Sequence, residues 1–271
     1  MDNIRNTLLI ASGKGGVGKS TVATNLALAL ARAGHRTGLL DADIYGPSIP
    51  TMLGEAERPR SADGKSIAPI EIHGLKVMSM GYMVDPDTAM IWRGPMLAGA
   101  VLQFVSDVAW GELDYLIFDL PPGTGDIQLS IAQKLQVTGA VLVTTPQAVA
   151  LADVVRAKVM FDRVRIKTLG VIENMSYFIC PGCSDRHEIF AHGGGEKAAA
   201  DLGLTFFGGI PLEPVVRIGG DSGQPVVVSA PQSASATAFV DIAGRLDAAV
   251  SEMRAAEERE QGPRRRLQII Q

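Results

Sequence analysis

Two rhythms of apolar residues alternate along this chain. Short, nearly unbroken runs at Thr7 to Ile10, Tyr115 to Phe118, Ala140 to Thr144, Thr168 to Glu173 and Thr205 to Ile210 read as strands buried on both faces. Between them, Val22 to Ala33, Met96 to Ala109, Ile127 to Leu135, Ala152 to Val164 and Glu196 to Leu202 repeat apolar residues at helical spacing. Gly34 stops the first helix and leads into a second strand, Arg36 to Leu40, while Pro95 opens a helix that Gly111 breaks. Strands that alternate with helices predict an α/β fold, a doubly wound, mostly parallel sheet flanked by helices. A short segment at Pro225 to Val228 and a long helix from Ala236 to about Glu260 close the pattern. Gly262-Pro263 ends that helix, so 1–262 is expected to form a single domain and 263–271 a flexible tail.

Composition narrows the classes. The chain has 271 residues and a formal net charge of -4, with its basic residues scattered rather than blocked, which predicts no nucleic-acid partner. Met1 to Asn6 is polar where a secretory leader needs an apolar core, and no apolar run reaches membrane-spanning length, so a cytoplasmic chain without a membrane partner is expected. Only Cys180 and Cys183 occur, and a Cys-x-x-Cys pair in such a compartment points to metal or redox chemistry rather than a disulfide framework.

The stretch between the first strand and the first helix carries the strongest chemistry. Gly13, Lys14, Gly15, Gly16, Val17, Gly18, Lys19, Ser20 and Thr21 contain the spacing G-x4-G-K-S of a P-loop, whose backbone N–H groups wrap a polyphosphate at a helix N-terminus. In that arrangement Lys19 reaches the β- and γ-phosphates of ATP and Ser20 holds Mg²⁺. Asp119 closes an apolar strand as a Walker B acid does, ordering a water of the Mg²⁺ shell, and Gly123 and Gly125 leave the next loop free to respond to a γ-phosphate. Asp41 and Asp43 end the second strand, where ligands bind in doubly wound sheets. The region 46–92, rich in Pro, Gly and charge, reads as an insertion over the nucleotide with a small hairpin of Pro69 to Ile72 and Leu75 to Ser79.

With Lys14 in it, the loop resembles the deviant P-loop of the MinD, ParA and nitrogenase iron protein class, where the early lysine reaches across a homodimer to the partner's phosphates. More of the chain resembles Mrp/ApbC-type P-loop ATPases, which are iron-sulfur cluster carriers. The matching motifs are Asp41-Ala-Asp-Ile-Tyr-Gly-Pro-Ser48, Trp92-Arg-Gly-Pro95, Asp119-Leu-Pro-Pro-Gly-Thr-Gly-Asp126, Thr144-Thr-Pro-Gln147, Glu173-Asn-Met-Ser176, Cys180-Pro-Gly-Cys183 and Ile210-Pro-Leu212. Many relatives carry a further small N-terminal domain that this sequence does not show. The resemblance implies a catalytic set of Lys14, Lys19, Asp41, Asp43 and Asp119, with one of Asp41 and Asp43 handling the attacking water. It also implies that Asn174 reads adenine, with Pro211 beside the nucleotide.

For the cysteines, in a metal-binding loop at about 177–193, alternatives stay open. Two thiolates supply half of a four-ligand set, and the resemblance implies that two copies share one [4Fe-4S] cluster through Cys180 and Cys183. The spacing Cys180, Cys183, His187, His192 also suits Zn²⁺ within one chain, and a redox thiol pair is the third reading. The leading function is therefore a slow Mg-dependent ATPase that carries a cluster to apo iron-sulfur proteins, with cluster-assembly proteins as further partners. The alternatives are a MinD/ParA-like positioning ATPase, an electron-donating reductase like nitrogenase iron protein, and a zinc-binding P-loop ATPase.

Overall fold

The computed structural model describes residues 3–43, 46–54, 58–61, 66–82, 94–123, 125, 128–129, 134–180, 182–183 and 185–261. Its strands are β1 (Ile4–Ala11), β2 (Thr37–Asp41), β3 (Ile70–Ile72), β4 (Leu75–Ser79), β5 (Leu113–Asp119), β6 (Gly139–Thr144), β7 (Thr168–Glu173), β8 (Phe178–Ile179), β9 (Arg186–His187) and β10 (Thr205–Gly209). The helices are α1 (Lys19–Arg32), α2 (Ile49–Leu53), α3 (Gly94–Asp107), α4 (Ala148–Arg163), α5 (Gly194–Asp201), α6 (Pro214–Asp221), α7 (Val226–Ser229) and α8 (Ala234–Gln261).

Eight strands form one sheet in the order β10-β7-β6-β1-β5-β2-β4-β3, and only the β3–β4 pair is antiparallel. The period-two alternation of a strand explains the two cores. Leu8, Ile10, Tyr115 and Ile117 face one cluster with Val22, Leu26 and Leu30 of α1 and Phe239, Leu246 and Val250 of α8. Leu9, Ala11, Leu116 and Phe118 face the other, with Val101 and Val105 of α3 and Val154, Ala157 and Phe161 of α4. Helices on both faces leave these central strands without a polar side, which is why their sequences read as continuous apolar runs.

From β1 the chain crosses to β2, leaving a place that β5 later fills, and it returns to the other side of β1 as β6. That reversal puts the ends of β1, β2 and β5 at a topological switch point. The register aligns Ile10 with Asp119 and Asp119 with Asp41, so the loop after β1 and both acids share one edge.

The expected hairpin around Gly74 is present, but it does not stand apart as an insertion. β4 pairs parallel with β2 along its whole length, and the hairpin extends the central sheet. Its apolar residues Leu75 and Val77 enter the core under α1, which an independent flap could not offer them. Part of the 46–92 region, most of the expected Ile127 to Leu135 helix and the 263–271 tail lie outside the described residues. No described helix is long and apolar enough to cross a membrane.

Candidate nucleotide site and cysteine hairpin

Backbone conformation shapes the loop after β1. Gly18, the residue before α1, has φ 78°, and a Cβ built on it would lie 2.2 Å from the Asn174 Nδ2. At Gly13 a Cβ would lie 2.3 Å from the Asp153 Cβ on α4. These positions accept only glycine, one for its left-handed φ and crowding, the other for a close approach. The Ser12 hydroxyl donates to the Lys14 carbonyl at 2.8 Å, and Val22 N–H donates to the Gly18 carbonyl at 2.9 Å, starting the helix. Gly15 and Gly16 are exposed, Val17 is buried, and Lys14, Ser20 and Thr21 are half-buried.

Lys19 and Asp119 are both buried, and Lys19 Nζ donates to Asp119 Oδ1 at 2.6 Å. The ammonium also lies 3.4 Å from the Ser20 hydroxyl. Burial pushes the Asp119 carboxyl up from its ordinary value, and Lys19 opposes that push. Its second oxygen, Oδ2, is buried without a hydrogen-bond partner among the described residues. An unpartnered carboxylate oxygen beside a serine hydroxyl is the hard oxygen donor set that a hydrated Mg²⁺ requires, so the residues fit that ion.

Asp41 is fully buried and accepts from Asp43 N–H at 3.0 Å, the Ser79 hydroxyl at 3.0 Å and Ile49 N–H at 3.3 Å. Burial, followed by the neighbouring Asp119 charge, pushes its carboxyl up to about 7. Asp43 is half-buried, and its Oδ1 accepts from Gly46 N–H at 3.2 Å. The two acids thus differ: Asp41 ties β2 to β4 and the start of α2, and Asp43 sits closer to solvent.

Asn174 follows β7 and is buried, with Nδ2 donating to the Val17 carbonyl at 2.9 Å. Beside it opens a cavity of about 440 Å³ lined by Gly18, Thr21, Met52, Met175, Pro211 and Val216, among others. It lies against the start of α1, where a nucleotide base would sit once its phosphates occupy the loop. Asn174 and Pro211, both expected at the nucleotide, line this same space.

Several contributors are invisible in the sequence. Ser79 arrives from β4 to bond Asp41, and Asp153 arrives from α4 to pack on Gly13. Buried Gln128 Nε2 donates to the Pro121 and Pro122 carbonyls at 3.1 and 2.7 Å, fixing the chain after Asp119. Only long-range pairing brings these residues in, and no local motif announces them.

The cysteines sit on a small hairpin rather than a bare loop. β8 pairs with β9, matching Phe178 with His187 and Ile179 with Arg186, and Cys180 N–H continues the ladder to the Asp185 carbonyl at 2.9 Å. Cys180 is half-buried and Cys183 exposed, and both are free thiols. Backbone N–H groups of Cys183, then Gly182, point at the Cys180 sulfur and lower its pKa, favouring thiolate. The Cys183 thiol donates to Asp185 Oδ2 at 3.2 Å. Among the described residues His192 is not in the close donor group with Cys183, and its Nδ1 lies 3.1 Å from Glu188 Oε1. His187, by contrast, lies with Cys183.

A parallel sheet with a glycine loop after its central strand, a lysine in that loop and an acid ending the adjacent strand define a P-loop NTPase of the MinD/ParA type. The comparisons refine this. The family model described as ParA, NUBPL iron-transfer P-loop NTPase, matches residues 3–247, and the chain belongs to that family. It is 52% identical over 253 residues to the iron-sulfur cluster carrier protein of Synechocystis, covering 92% of this chain and 72% of that one. Among solved structures it is similar to an Archaeoglobus fulgidus nucleotide-binding protein in complex with ADP, in which cobalt was found. There the TM-score is 0.73 and the identity 38%, over 82% of this chain and 88% of that one. The cell division ATPase MinD of Pyrococcus furiosus shares the fold, with TM-score 0.67 and 24% identity over 90% of this chain and 98% of that chain.

Proposed function

We propose that this chain is a Mg-dependent ATPase working as a homodimer in the cytoplasm, and that it carries a [4Fe-4S] cluster as cargo to apo iron-sulfur proteins. Cys180 and Cys183 of two copies would supply four thiolates to that cargo. The observation that carries the reading is a single short stretch. Asn174 and Met175 line the nucleotide cavity, and Cys180 directly follows the hairpin strand β8. Asn174 and Cys180 are six residues apart in the chain, so a shift at the first has a short path to the second. The similarity to named cluster carriers supports the cargo.

The buried pair sets the order of events. For Lys19 to hold a phosphate and Asp119 to order a metal-bound water, their mutual 2.6 Å contact exchanges for ligand contacts. When bound, Mg²⁺ would neutralise charge that develops on the phosphates. Ser20 and, through a water, Asp119 would hold that ion. Asp43, half-buried where Asp41 is fully buried, orients the attacking water from the more solvent-accessible position. Lys14 adds charge at the partner's phosphate, which makes hydrolysis depend on the dimer. Asn174 gives one amide N–H to Val17, and its side-chain oxygen would accept from the adenine amino group.

Lys19→Ala tests the reading: ATP binding and turnover are expected to fall together, with cysteine reactivity intact. Unchanged turnover would remove the ATPase assignment. A MinD/ParA-like positioning role shares the fold but leaves the cysteine hairpin without a task.

A further inference from the structure

Strand geometry sorts the hairpin's side chains. Along the extended segment that ends in β9, residues two apart point to the same face. Asp185 and His187 therefore share one face, and Cys183 at the tip joins them: the Cys183 sulfur, an Asp185 carboxylate oxygen and a His187 ring nitrogen all lie within 4.8 Å of one another. Arg186 points the other way, with its guanidinium 3.9 Å from the Tyr177 ring centroid and its Nε 2.7 Å from Glu188 Oε1. Glu188 also holds His192. One face of the segment thus carries ion pairs and a cation–ring contact, and the other gathers a thiol, a carboxylate and an imidazole whose ring lies near Phe178.

We infer that Cys183, Asp185 and His187 form a binding site for a single divalent transition-metal ion on each chain, distinct in ligand set and stoichiometry from the shared cargo cluster. One sulfur, one oxygen and one nitrogen suit a borderline ion such as Zn²⁺, Co²⁺ or Fe²⁺ and not the hard Mg²⁺ of the nucleotide site. The three donors leave a fourth position open. Binding replaces the proton that Cys183 donates to Asp185 and releases it to solvent. Ion and cluster compete for Cys183, so a chain holding the ion is closed to cargo until the ion leaves. The site itself stands on the hairpin geometry, and only this competition rests on the carrier reading.

Co²⁺ is the probe. Titrated into the reduced, chelator-treated full chain without oxygen, it is expected to bind once per chain and to give a thiolate-to-cobalt absorption band. Asp185→Asn and His187→Gln each weaken binding at least about tenfold, the lower end of what even an outer partner of a metal ligand contributes. Cys183→Ala removes the band, and His192→Gln changes nothing. Both weakened variants alter exposed side chains, so the fold is preserved. Equal Co²⁺ affinity in wild type, Asp185→Asn and His187→Gln overturns the site, as does one ion per two chains or no thiolate band in the wild type. Iron and sulfide reconstitution of the wild-type chain tests the carrier reading separately, so either proposal can fail while the other stands.

Discussion

Lys19 Nζ and Asp119 Oδ1 meet at 2.6 Å in a buried ion pair that joins the helix following β1 to the end of β5. Each charge there depends on the other. Removing one partner of a buried pair leaves an uncompensated charge and costs about 3–5 kcal/mol, more than the pair itself contributes. Lys19→Met and Asp119→Asn are each expected to lower unfolding stability, and the double variant is expected to be more stable than the sum of the single losses predicts. Denaturant unfolding of the four proteins measures this coupling, and strict additivity would show that the pair does not interact in solution.

Asp41 gives a pH signature with a definite sign. Its carboxyl titrates near 7 in the folded chain and near the ordinary carboxylate value when unfolded. Between those values the folded state binds the extra proton, so this group's contribution to stability falls as pH rises from about 4 through about 7 and is flat above. Comparing wild type with Asp41→Asn across that range isolates the contribution. An identical slope in the two proteins contradicts a raised Asp41.

Gly18→Ala tests the crowding between the loop and Asn174. A methyl group there meets the Asn174 amide and a left-handed backbone together, so nucleotide affinity is expected to fall at least about tenfold, a loss of about 1.4 kcal/mol or more. Asn174→Ala leaves room but removes the Val17 contact and the acceptor for adenine. It is expected to narrow the preference for ADP over GDP in a calorimetric titration, and an unchanged preference would place base recognition elsewhere.

Lys14→Ala is expected to keep nucleotide binding and lose about 10³-fold in turnover, the scale of a missing charge at a transferring phosphoryl group. Mixing it with Asp43→Ala sharpens the test. If Asp43 serves its own site and Lys14 its neighbour's, a mixed dimer holds both lesions at one site and leaves the other whole. Activity then returns on mixing, and no return in proven mixed dimers shows that these residues do not act across subunits.

What the sequence reveals and what it hides follow from the range of the interactions. The β1 loop, β5 with its terminal acid and the helices α1, α4 and α8 are local statements: a glycine spacing, an apolar run, a 3.6-residue period. The helix α6 escapes that reading, because Val215, Val216 and Ile218 favour strands and Gly219 and Gly220 break helices. It forms because Pro214 starts it and its contacts with α2 and α7 hold it. The hairpin around the cysteines is equally hidden, since β8 and β9 are two residues each and their pairing is a tertiary fact. The role of β4 as a main-sheet strand is not local either, because nothing in Leu75 to Ser79 says that its neighbour is β2. At the site, Lys19 and Asp119 were legible by motif, whereas Ser79, Gln128 and Asp153 enter only through the fold.

The cargo claim is tested most directly by anaerobic reconstitution of the full chain with iron and sulfide, followed by iron, sulfide and mass analysis of the resolved dimer. Each chain has two cysteines and a [4Fe-4S] cluster takes four thiolates, so the expected result is one cluster per dimer. Cys180→Ala and Cys183→Ala each abolish it. No cluster taken up by the chelator-treated, metal-free chain contradicts the carrier function, whatever the ATPase does.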